Sequence, residues 1–289
     1  MNRKSLGSER IFDAVVMIIV GIIALMFLIP LLNVLASSFS SADKVVAGEV
    51  GLFPVDFEID GYLKIFKDEK IWSGFKNSII YTVIGTIIQV TCQMLCAYPL
   101  SRKDFKGRKA LNLFLVLTMF LSGGMIPTYI LISELNLLDT IWAIILPGCV
   151  SVFNIIVIRT YMENSISKEI QEAAMIDGCN DFNIFFRVVL PLCRPVIAIM
   201  ILYAIVGYWN SYFNAMMYVQ SESLLPLQNV LNNILISNES TLGGGVADIN
   251  ASVQLKYVTI VISSVPLLII YPFFQKYFEK GVTLGGVKC

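Results

Sequence analysis

The chain contains no histidine among its 289 residues, and charged residues make up only 15% of it. The missing histidine excludes His-based acid–base catalysis, His-activated nucleophiles and most zinc sites. An average soluble domain is about 25% charged, whereas this chain is 56% hydrophobic. Because the formal net charge is zero, we expect no nucleic-acid partner. The composition is typical of a membrane protein.

Two kinds of motif are missing as well. None of the six cysteines belongs to a CxxC pair, so we expect them to be small buried hydrophobes, with a metal or redox site as the alternative. No GxxxxGK[ST] phosphate-binding loop is present. If the protein moves a solute uphill, the energy must therefore come from another chain.

Six apolar stretches are long enough to cross a hydrocarbon core as helices, which takes about 20 residues each. They cover roughly residues 11–37, 76–100, 110–133, 140–162, 195–219 and 253–275. The first could be read as a signal peptide, but its apolar core exceeds the roughly 7–15 residues of such a segment. We therefore predict an all-α integral membrane protein with six transmembrane helices. Gly123, Gly124 and Pro127 predict a kink in the third.

The positions of Lys and Arg predict the orientation of the spans, because cytoplasmic loops carry an excess of both. Basic residues gather in four segments: Arg3, Lys4 and Arg10; Arg102, Lys103, Lys106, Arg108 and Lys109; Lys168, Arg187 and Arg194; Lys276, Lys280 and Lys288. Residues 134–139 and 220–252 contain neither Lys nor Arg. Residues 38–75 mix lysines with acids and fit an outside loop less cleanly. Both termini are therefore predicted to be cytoplasmic.

The predicted spans hold no Asp, Glu, Lys or Arg deep within them. Ion-coupled transporters usually keep ionisable groups at mid-membrane, since those groups carry the coupling ion. Their absence weakens an ion-coupled secondary transporter without excluding it, because carbonyls can bind sodium. A membrane enzyme acting on lipid or glycan would need clustered acids or histidines near an interface, and the sequence shows no such cluster.

The polar insert, residues 163–195, separates the fourth and fifth stretches and has the periodicity of two short helices. Apolar side chains share one face of the first: Ile166, Ile170, Ala173 and Ala174. A stripe at i, i+3, i+4 and i+7 follows on the second: Phe182, Phe185, Phe186 and Val189. Gly178 is placed to end the first helix, and Asn180 or Asp181 can cap the second. The pattern fits either an amphipathic hairpin on the bilayer surface or a docking element.

The polar insert carries a motif of fixed spacing. Glu172-Ala173-Ala174 is followed after three residues by Gly178 and, after nine more, by Val188-Val189-Leu190-Pro191. This motif resembles the EAA loop of ABC importer permeases, whose pattern is EAA, three residues, G, nine residues, I-x-L-P, and Val188 in place of Ile is the single departure. The resemblance implies a cytoplasmic coupling loop that enters a cleft on an ATP-hydrolysing subunit. Closure of two such subunits would draw the loops together and switch the spans between inward- and outward-facing states.

The resemblance also implies roles for single residues of this loop. Gly178 and Glu172 match the family's sensitive positions, and the docking surface falls on Ala173, Ala174, Asp177, Asn180 and Asp181. Gly178 can take a positive φ at the turn, and Glu172 can pair with a cationic group on the partner. The two alanines permit close approach of backbones.

Beyond the insert, residues 76–278 resemble the five-span core of the type I ABC importer permease fold. Residues 1–75 would be an arm helix over 11–37 with an extracellular loop, and 279–289 a cytoplasmic tail. "GYWNSYFNAMMYVQ", "LLPLQ" and "YPFFQKYFEKGVTLGGVKC" are similar to the maltose-type and the lipo-oligosaccharide or polysaccharide permeases. Gly would be commoner than Cys289 at the last position of that family.

The resemblance therefore implies a permease subunit in a bacterial plasma membrane, forming half of the pathway of a sugar importer. The implied partners are a second homologous permease, two ABC ATPase subunits and an extracellular solute-binding lipoprotein. The chain itself would bind no cofactor or metal and catalyse no reaction, and ATP would be used by the partner ATPases. A non-sugar cargo is the alternative within the family.

The segment 207–218 in the fifth span is the candidate sugar path. It carries pairs spaced i, i+4, which share a face of a continuous helix: Tyr208 and Tyr212, Trp209 and Phe213, and Asn210 and Asn214. Aromatic rings can cover the C–H faces of sugars, and Asn can bind hydroxyl groups. Alternatively, the aromatics anchor the span at the interface and the asparagines bond between helices.

Overall fold

The structure is a computed structural model that describes residues 7–121, 123–240 and 246–286. Within these ranges the regular elements are helices, apart from one isolated antiparallel bridge between Ser40 and Phe57. The α-helices are α1 Gly7–Ser38, α2 Ala42–Val46, α3 Asp60–Lys67, α4 Glu69–Ser101, α5 Arg108–Phe120, α6 Met125–Glu134, α7 Ile141–Ile145, α8 Val152–Ser165, α9 Lys168–Ile176, α10 Asp181–Ile184, α11 Leu190–Leu192, α12 Arg194–Trp209, α13 Phe213–Tyr218, α14 Leu227–Ser240 and α15 Val246–Gly286.

Three of these helices are long and apolar enough to cross a membrane without interruption. They are Ile11–Ser38 within α1, the whole of α4, and Val253–Gln275 within α15. Three bent pairs could each make one further span: α5 with α6, α7 with α8, and Asp181–Leu192 with α12. By length and composition, the described residues thus hold three to six spans, where the sequence predicts six.

The bent pairs break where the sequence interrupts helical hydrogen bonding. Between α5 and α6 the chain turns at Gly124, whose φ of +83° favours glycine. This break agrees with the predicted kink, and Pro127 lies in the first turn of α6, where its missing N–H costs no helical hydrogen bond. After the next break, Ser151 is the N-cap of α8, since its hydroxyl accepts a hydrogen bond from Asn154 N.

The helices group into two compact units, residues 1–69 with 231–265 and residues 70–230 with 266–289. In the first unit, Phe39 stacks on Phe57 and Tyr62. The Gln254 amide donates to Ser40 O at 2.7 Å. The predicted division into arm helix, core and tail stays a prediction. Arg3, Lys4, Lys288 and Cys289, which enter the predicted orientation and tail, lie outside the described residues.

The second unit has its main apolar core where α4, α8 and α12 pack together. Buried side chains from the three helices fill it: Met94, Ala97, Leu100, Ile155, Ile158, Met162, Val196 and Met200. Further along α4, Gly85 allows the Tyr208 ring of α12 to lie directly against the helix backbone. The described cysteines are free, and Cys193 is buried as expected, but Cys96 is exposed.

A short segment after α13 is fixed to two other parts of the same unit. Asp139, at φ +56°, accepts hydrogen bonds from Gln220 N, Ser221 N and the Ser221 hydroxyl. These hydrogen bonds hold the pKa of the Asp139 carboxyl below its usual range, and the bond from the Ser221 side chain has the largest effect. Ser78 and Asn77 of α4 bind the backbone at Leu227 and Ser223 respectively. Polar side chains therefore fix the start of the 220–252 segment.

Replacing Gly85 should lower the stability of the second unit. An added Cβ would lie 2.6 Å from the Tyr208 ring, and overpacking of this kind costs about 1–3 kcal/mol. We expect Gly85→Ala to lower the midpoint of thermal unfolding in detergent. Gly207→Ala is the control, because nothing lies within 4 Å of its added Cβ. Equal midpoints for the two variants would contradict the close approach.

Replacing Asp139 should loosen the segment that it binds. Asp139→Ala removes every side-chain acceptor and places alanine at a positive φ, which alanine rarely adopts. Asparagine retains one oxygen acceptor and tolerates that conformation. We expect faster amide hydrogen exchange at residues 219–225 in Asp139→Ala than in Asp139→Asn. Because the folded pKa is lowered, the interaction is complete at neutral pH and is lost only as the pH falls through that pKa. Glu134→Ala, a nearby exposed acid, should leave the exchange unchanged.

Candidate functional site

The turn of the polar insert is built by hydrogen bonds around Gly178. Cys179 N donates to Ala174 O and Gly178 N donates to Met175 O, both at 3.0 Å. Gly178 has a φ of +79°, which together with these bonds makes a Schellman ending for α9. Asn180 then caps α10 by accepting from Asn183 N at 2.8 Å. The predicted roles of Gly178 as helix end and Asn180 as cap are confirmed, and the turn has a defined geometry.

The second half of the insert is anchored in the core by apolar side chains. Ile184, Phe185 and Val189 are buried among the side chains of α4, α8 and α12, and Ala174 and Cys179 pack against the same cluster. Residues 185–189 form a π-helical turn, which changes the register of the side chains. The predicted stripe is therefore wrong in part, because Phe182 and Phe186 are exposed while Ile184 is buried.

The insert also presents apolar side chains that this chain leaves uncovered. Ile176 is 86% exposed and Phe182 is 73% exposed, and Met175 and Phe186 are also exposed. Ala173 is exposed as well. Exposed apolar clusters of this kind mark interaction surfaces. We call Ala173, Met175, Ile176, Phe182 and Phe186 the apolar tip.

The first helix of the insert differs in two details from the sequence prediction. α9 begins at Lys168, so Ile166 is not part of its face but is buried at the end of α8. Glu172 pairs with Lys168, four residues earlier, at 2.7 Å, and both side chains are exposed. Glu172 is thus accessible to a partner's cation, which would compete with Lys168.

A charged cluster joins the insert to the end of α4. The Arg102 guanidinium binds Asp104 through Nε at 3.0 Å and Nη2 at 2.7 Å. Its Nη1 donates to the Tyr98 hydroxyl and to Asp181 Oδ1, each at 3.2 Å. Because Arg102 donates to it, the pKa of Asp104 is lowered. A cavity of about 500 Å³ beside the cluster is lined partly by Phe182 and Phe185.

The beginning of the insert is held by a second charged network. Arg108 at the start of α5 pairs with Glu163 near the end of α8. Arg159 lies 3.5 Å from the same carboxylate, and it also donates to Asn112 Oδ1 at 2.7 Å. None of the contacts of Arg102, Arg108 and Arg159 was predicted from the sequence, where Arg102 and Arg108 indicated only the orientation of the spans. Sequence spacing gives no signal for partners that are 47–79 residues apart.

The candidate path residues do not share helix faces as predicted. α12 ends at Trp209, the chain turns through Asn210–Tyr212, and α13 starts at Phe213. This break separates all three pairs, so the continuous helical face is wrong. Its physical cause is a local turn in which Ser211 N donates to Tyr208 O and Tyr212 N donates to Asn210 O.

The six candidates divide into a buried and an accessible group. Tyr208 and Trp209 are buried, with the Tyr208 hydroxyl donating to Ile145 O at 3.0 Å and Trp209 lying edge-on to Phe75. The accessible group is Asn210, Tyr212, Phe213 and Asn214, of which Asn210 and Phe213 are exposed. The Asn210 amide donates to Val206 O of its own helix. No cluster of three or more potential metal ligands occurs in the described part of the chain.

Comparisons with known proteins agree with this architecture. Residues 5–284 match the family described as binding-protein-dependent transport system inner membrane component. Over 285 residues the chain is 39% identical to the polygalacturonan/rhamnogalacturonan transport system permease protein YtcP of Bacillus subtilis, covering 97% of this chain and 99% of the relative. Protein LplC of the same organism is 37% identical over 282 residues, covering 96% and 95% of the two chains.

A solved structure supports the same assignment. It is the crystal structure of a bacterial ABC transporter involved in the import of the acidic polysaccharide alginate. A chain of that transporter matches with a TM-score of 0.85 and 34% identity, covering 96% of this chain and 100% of the other. These matches are to transport proteins and not to enzymes. The chain belongs to the family of binding-protein-dependent transport system inner membrane components, and it is an integral membrane permease with the type I fold of carbohydrate ABC importers.

Proposed function

We propose that this chain is one of two permease subunits of an ATP-driven importer that takes up oligosaccharides. The observation that carries the proposal is the form of the polar insert, with one side buried in the span core and the apolar tip exposed on the other. In this proposal the apolar tip, Glu172 and the polar residues Asp177, Asn180 and Asp181 dock on a separate ATPase. The buried side then carries the movement of the ATPase to α4, α8 and α12.

The orientation follows from this docking. The polar insert and both termini face the cytoplasm, and the segments 134–139 and 220–252 face outward, where a solute-binding lipoprotein delivers the cargo. The second permease is homologous but not identical, and two ABC ATPases complete the assembly in a bacterial plasma membrane. This chain binds no cofactor, and the ATPases use the ATP.

The cargo proposal rests on the relatives. One relative is named for polygalacturonan and rhamnogalacturonan transport, and the structural relative is involved in alginate import. We therefore place oligosaccharides that contain uronic acids first among the sugars to test. The accessible residues Asn210, Tyr212, Phe213 and Asn214 form the sugar path, and Tyr208 and Trp209 hold it in place from the buried side.

Copurification tests the assembly. The tagged chain is extracted from its native membrane in mild detergent, and the proteins that accompany it are identified. We expect an ATPase with a Walker motif together with a second permease. A chain that purifies alone and transports along an ion gradient in vesicles without ATP would overturn the proposal in favour of a secondary transporter.

Replacement of Gly178 should uncouple transport from ATP hydrolysis. A bulky acidic residue is strained at a φ of +79° and destroys the Schellman ending. Strain of this kind costs on the order of 1 kcal/mol or more, enough to change the geometry of the turn but not the membrane core. We expect Gly178→Glu to insert normally and to lose uptake of oligogalacturonides.

The matched control for this variant is Gly107→Glu. Gly107 also has a positive φ, and nothing lies near its added Cβ, but it belongs to the loop before α5 and not to the insert. We expect uptake to survive this change. Normal uptake by Gly178→Glu would show that the coupling role is misplaced.

Truncation of Phe213 should reduce uptake more than assembly. The ring is half exposed, and one lost stacking contact with a sugar corresponds to about 0.5–1.5 kcal/mol, roughly a two- to tenfold change. We expect Phe213→Ala to assemble with its partners and to take up oligogalacturonides more slowly. Phe153→Ala removes a similarly exposed ring from α8 and should leave uptake unchanged. Equal effects of the two variants would exclude Phe213 from the path.

A further inference from the structure

Arg102 is a charged residue whose side chain is almost fully buried. Its side chain is only 9% exposed, although it carries a full positive charge. Burial of a charge is costly unless partners compensate it. Here two carboxylates and one hydroxyl surround the guanidinium, all within 3.2 Å. The same set of bonds therefore connects three separate segments of the chain.

The three segments are parts that must move together if the insert drives the spans. Tyr98 belongs to the last turn of α4, Asp104 to the loop that follows, and Asp181 to the first residue of α10. Asp181 is 79 residues from Arg102 in sequence. The bond between Arg102 and Asp181 is thus a tertiary contact between α4 and the polar insert.

We propose that Arg102 is a positioning residue for coupling, which fixes α10 to the end of α4 so that a displacement of the insert moves α4 with it. We call Arg102 with Tyr98, Asp104 and Asp181 the Arg102 clasp. The inference rests on the proposed function, and it adds a residue outside the polar insert to the coupling machinery.

The hydrogen bonds of the clasp are directional, whereas the neighbouring apolar contacts are not. Apolar contacts are non-directional, so the packing of Phe185 against Tyr98 holds α10 next to α4 but does not by itself specify the orientation of α10. The guanidinium binds Asp104 through two parallel bonds, which fix its plane, and the remaining Nη1 is then aimed at Tyr98 and Asp181. A rotation of α10 relative to α4 breaks the bond to Asp181, so the clasp resists that rotation.

Paired spin labels test this proposal in the assembled transporter. One label replaces exposed Asn183 in α10 and the other replaces exposed Lys106 after α4, and the distance is measured without nucleotide and with ATP bound to a hydrolysis-deficient ATPase. The variants are Arg102→Gln and Asp181→Asn. Lys103→Gln is the matched control, because it removes the neighbouring exposed charge.

The expected results separate positioning from general stability. In the wild-type chain and in Lys103→Gln we expect one narrow distance that ATP does not change. In Arg102→Gln the distribution should widen without nucleotide and shift when ATP binds, since the insert moves and α4 no longer follows. Asp181→Asn should show a smaller change of the same kind. The double variant should show no more than Arg102→Gln alone, because both act through one bond. A narrow, ATP-independent distance in assembled Arg102→Gln would overturn the proposal.

A conservative variant keeps the test decisive if Arg102→Gln does not assemble. Arg102→Lys keeps the charge but cannot make the two parallel bonds, so we expect assembly with an intermediate width. A wild-type distribution in Arg102→Lys would then overturn the proposal. A different result would show that the proposed function itself is wrong. In that case the polar inserts of the two permeases would not approach each other when ATP binds, even in the wild-type transporter.

Discussion

The packing of Ile184, Phe185 and Val189 against α4, α8 and α12 is the contact on which the rest of the functional architecture depends. These side chains belong to the polar insert, which lies outside the apolar stretches predicted as spans. Burying each of them contributes about 1.5–3 kcal/mol, which is enough to keep the second half of the insert seated on the span core. A hairpin lying loosely on a bilayer would not need to bury them inside the chain.

This seating divides the insert into two sides with different tasks. One side belongs to the core, while Gly178 and Asn180 fix the turn so that the apolar tip remains exposed. The charged clusters around Arg102 and Glu163 hold the insert at the start of α10 and at its own first residue. Apolar packing thus supplies the affinity of the insert for the spans, and the charges supply its orientation.

The sequence predicted the parts of this architecture that depend on local chemistry. Gly178 ends α9 and Asn180 caps α10, because a left-handed turn and a cap each require only nearby residues. The apolar spans were likewise visible as long runs. The π-helical turn at 185–189 was not, since its register shift depends on how Ile184 and Val189 fit the core. The break after Trp209 escaped prediction because "YWNSYF" contains no proline or glycine to mark it.

Tertiary contacts were the other part that the sequence could not supply. From the sequence, Arg102 is only a basic residue in a predicted cytoplasmic loop. No sequence pattern near it indicates a contact with Asp181, which is 79 residues away. Tyr208 and Trp209 resembled path residues by composition, but their neighbours Gly85 and Phe75 make them packing residues within this chain. Aromatic and basic residues have several roles in membrane proteins, and the role of each one depends on the residues that it contacts in the fold.

Site-specific photo-crosslinking can show whether the exposed side chains of the insert dock on an ATPase. A photoreactive amino acid replaces Ile176, the most exposed side chain of the apolar tip, and the captured protein is identified after irradiation of native membranes. Leu135, an exposed side chain in the 134–139 segment, serves as the control position. We expect an adduct with a Walker-type ATPase from position 176 and none from position 135. Absence of that adduct from position 176, in a transporter that assembles and takes up its cargo, would contradict this docking.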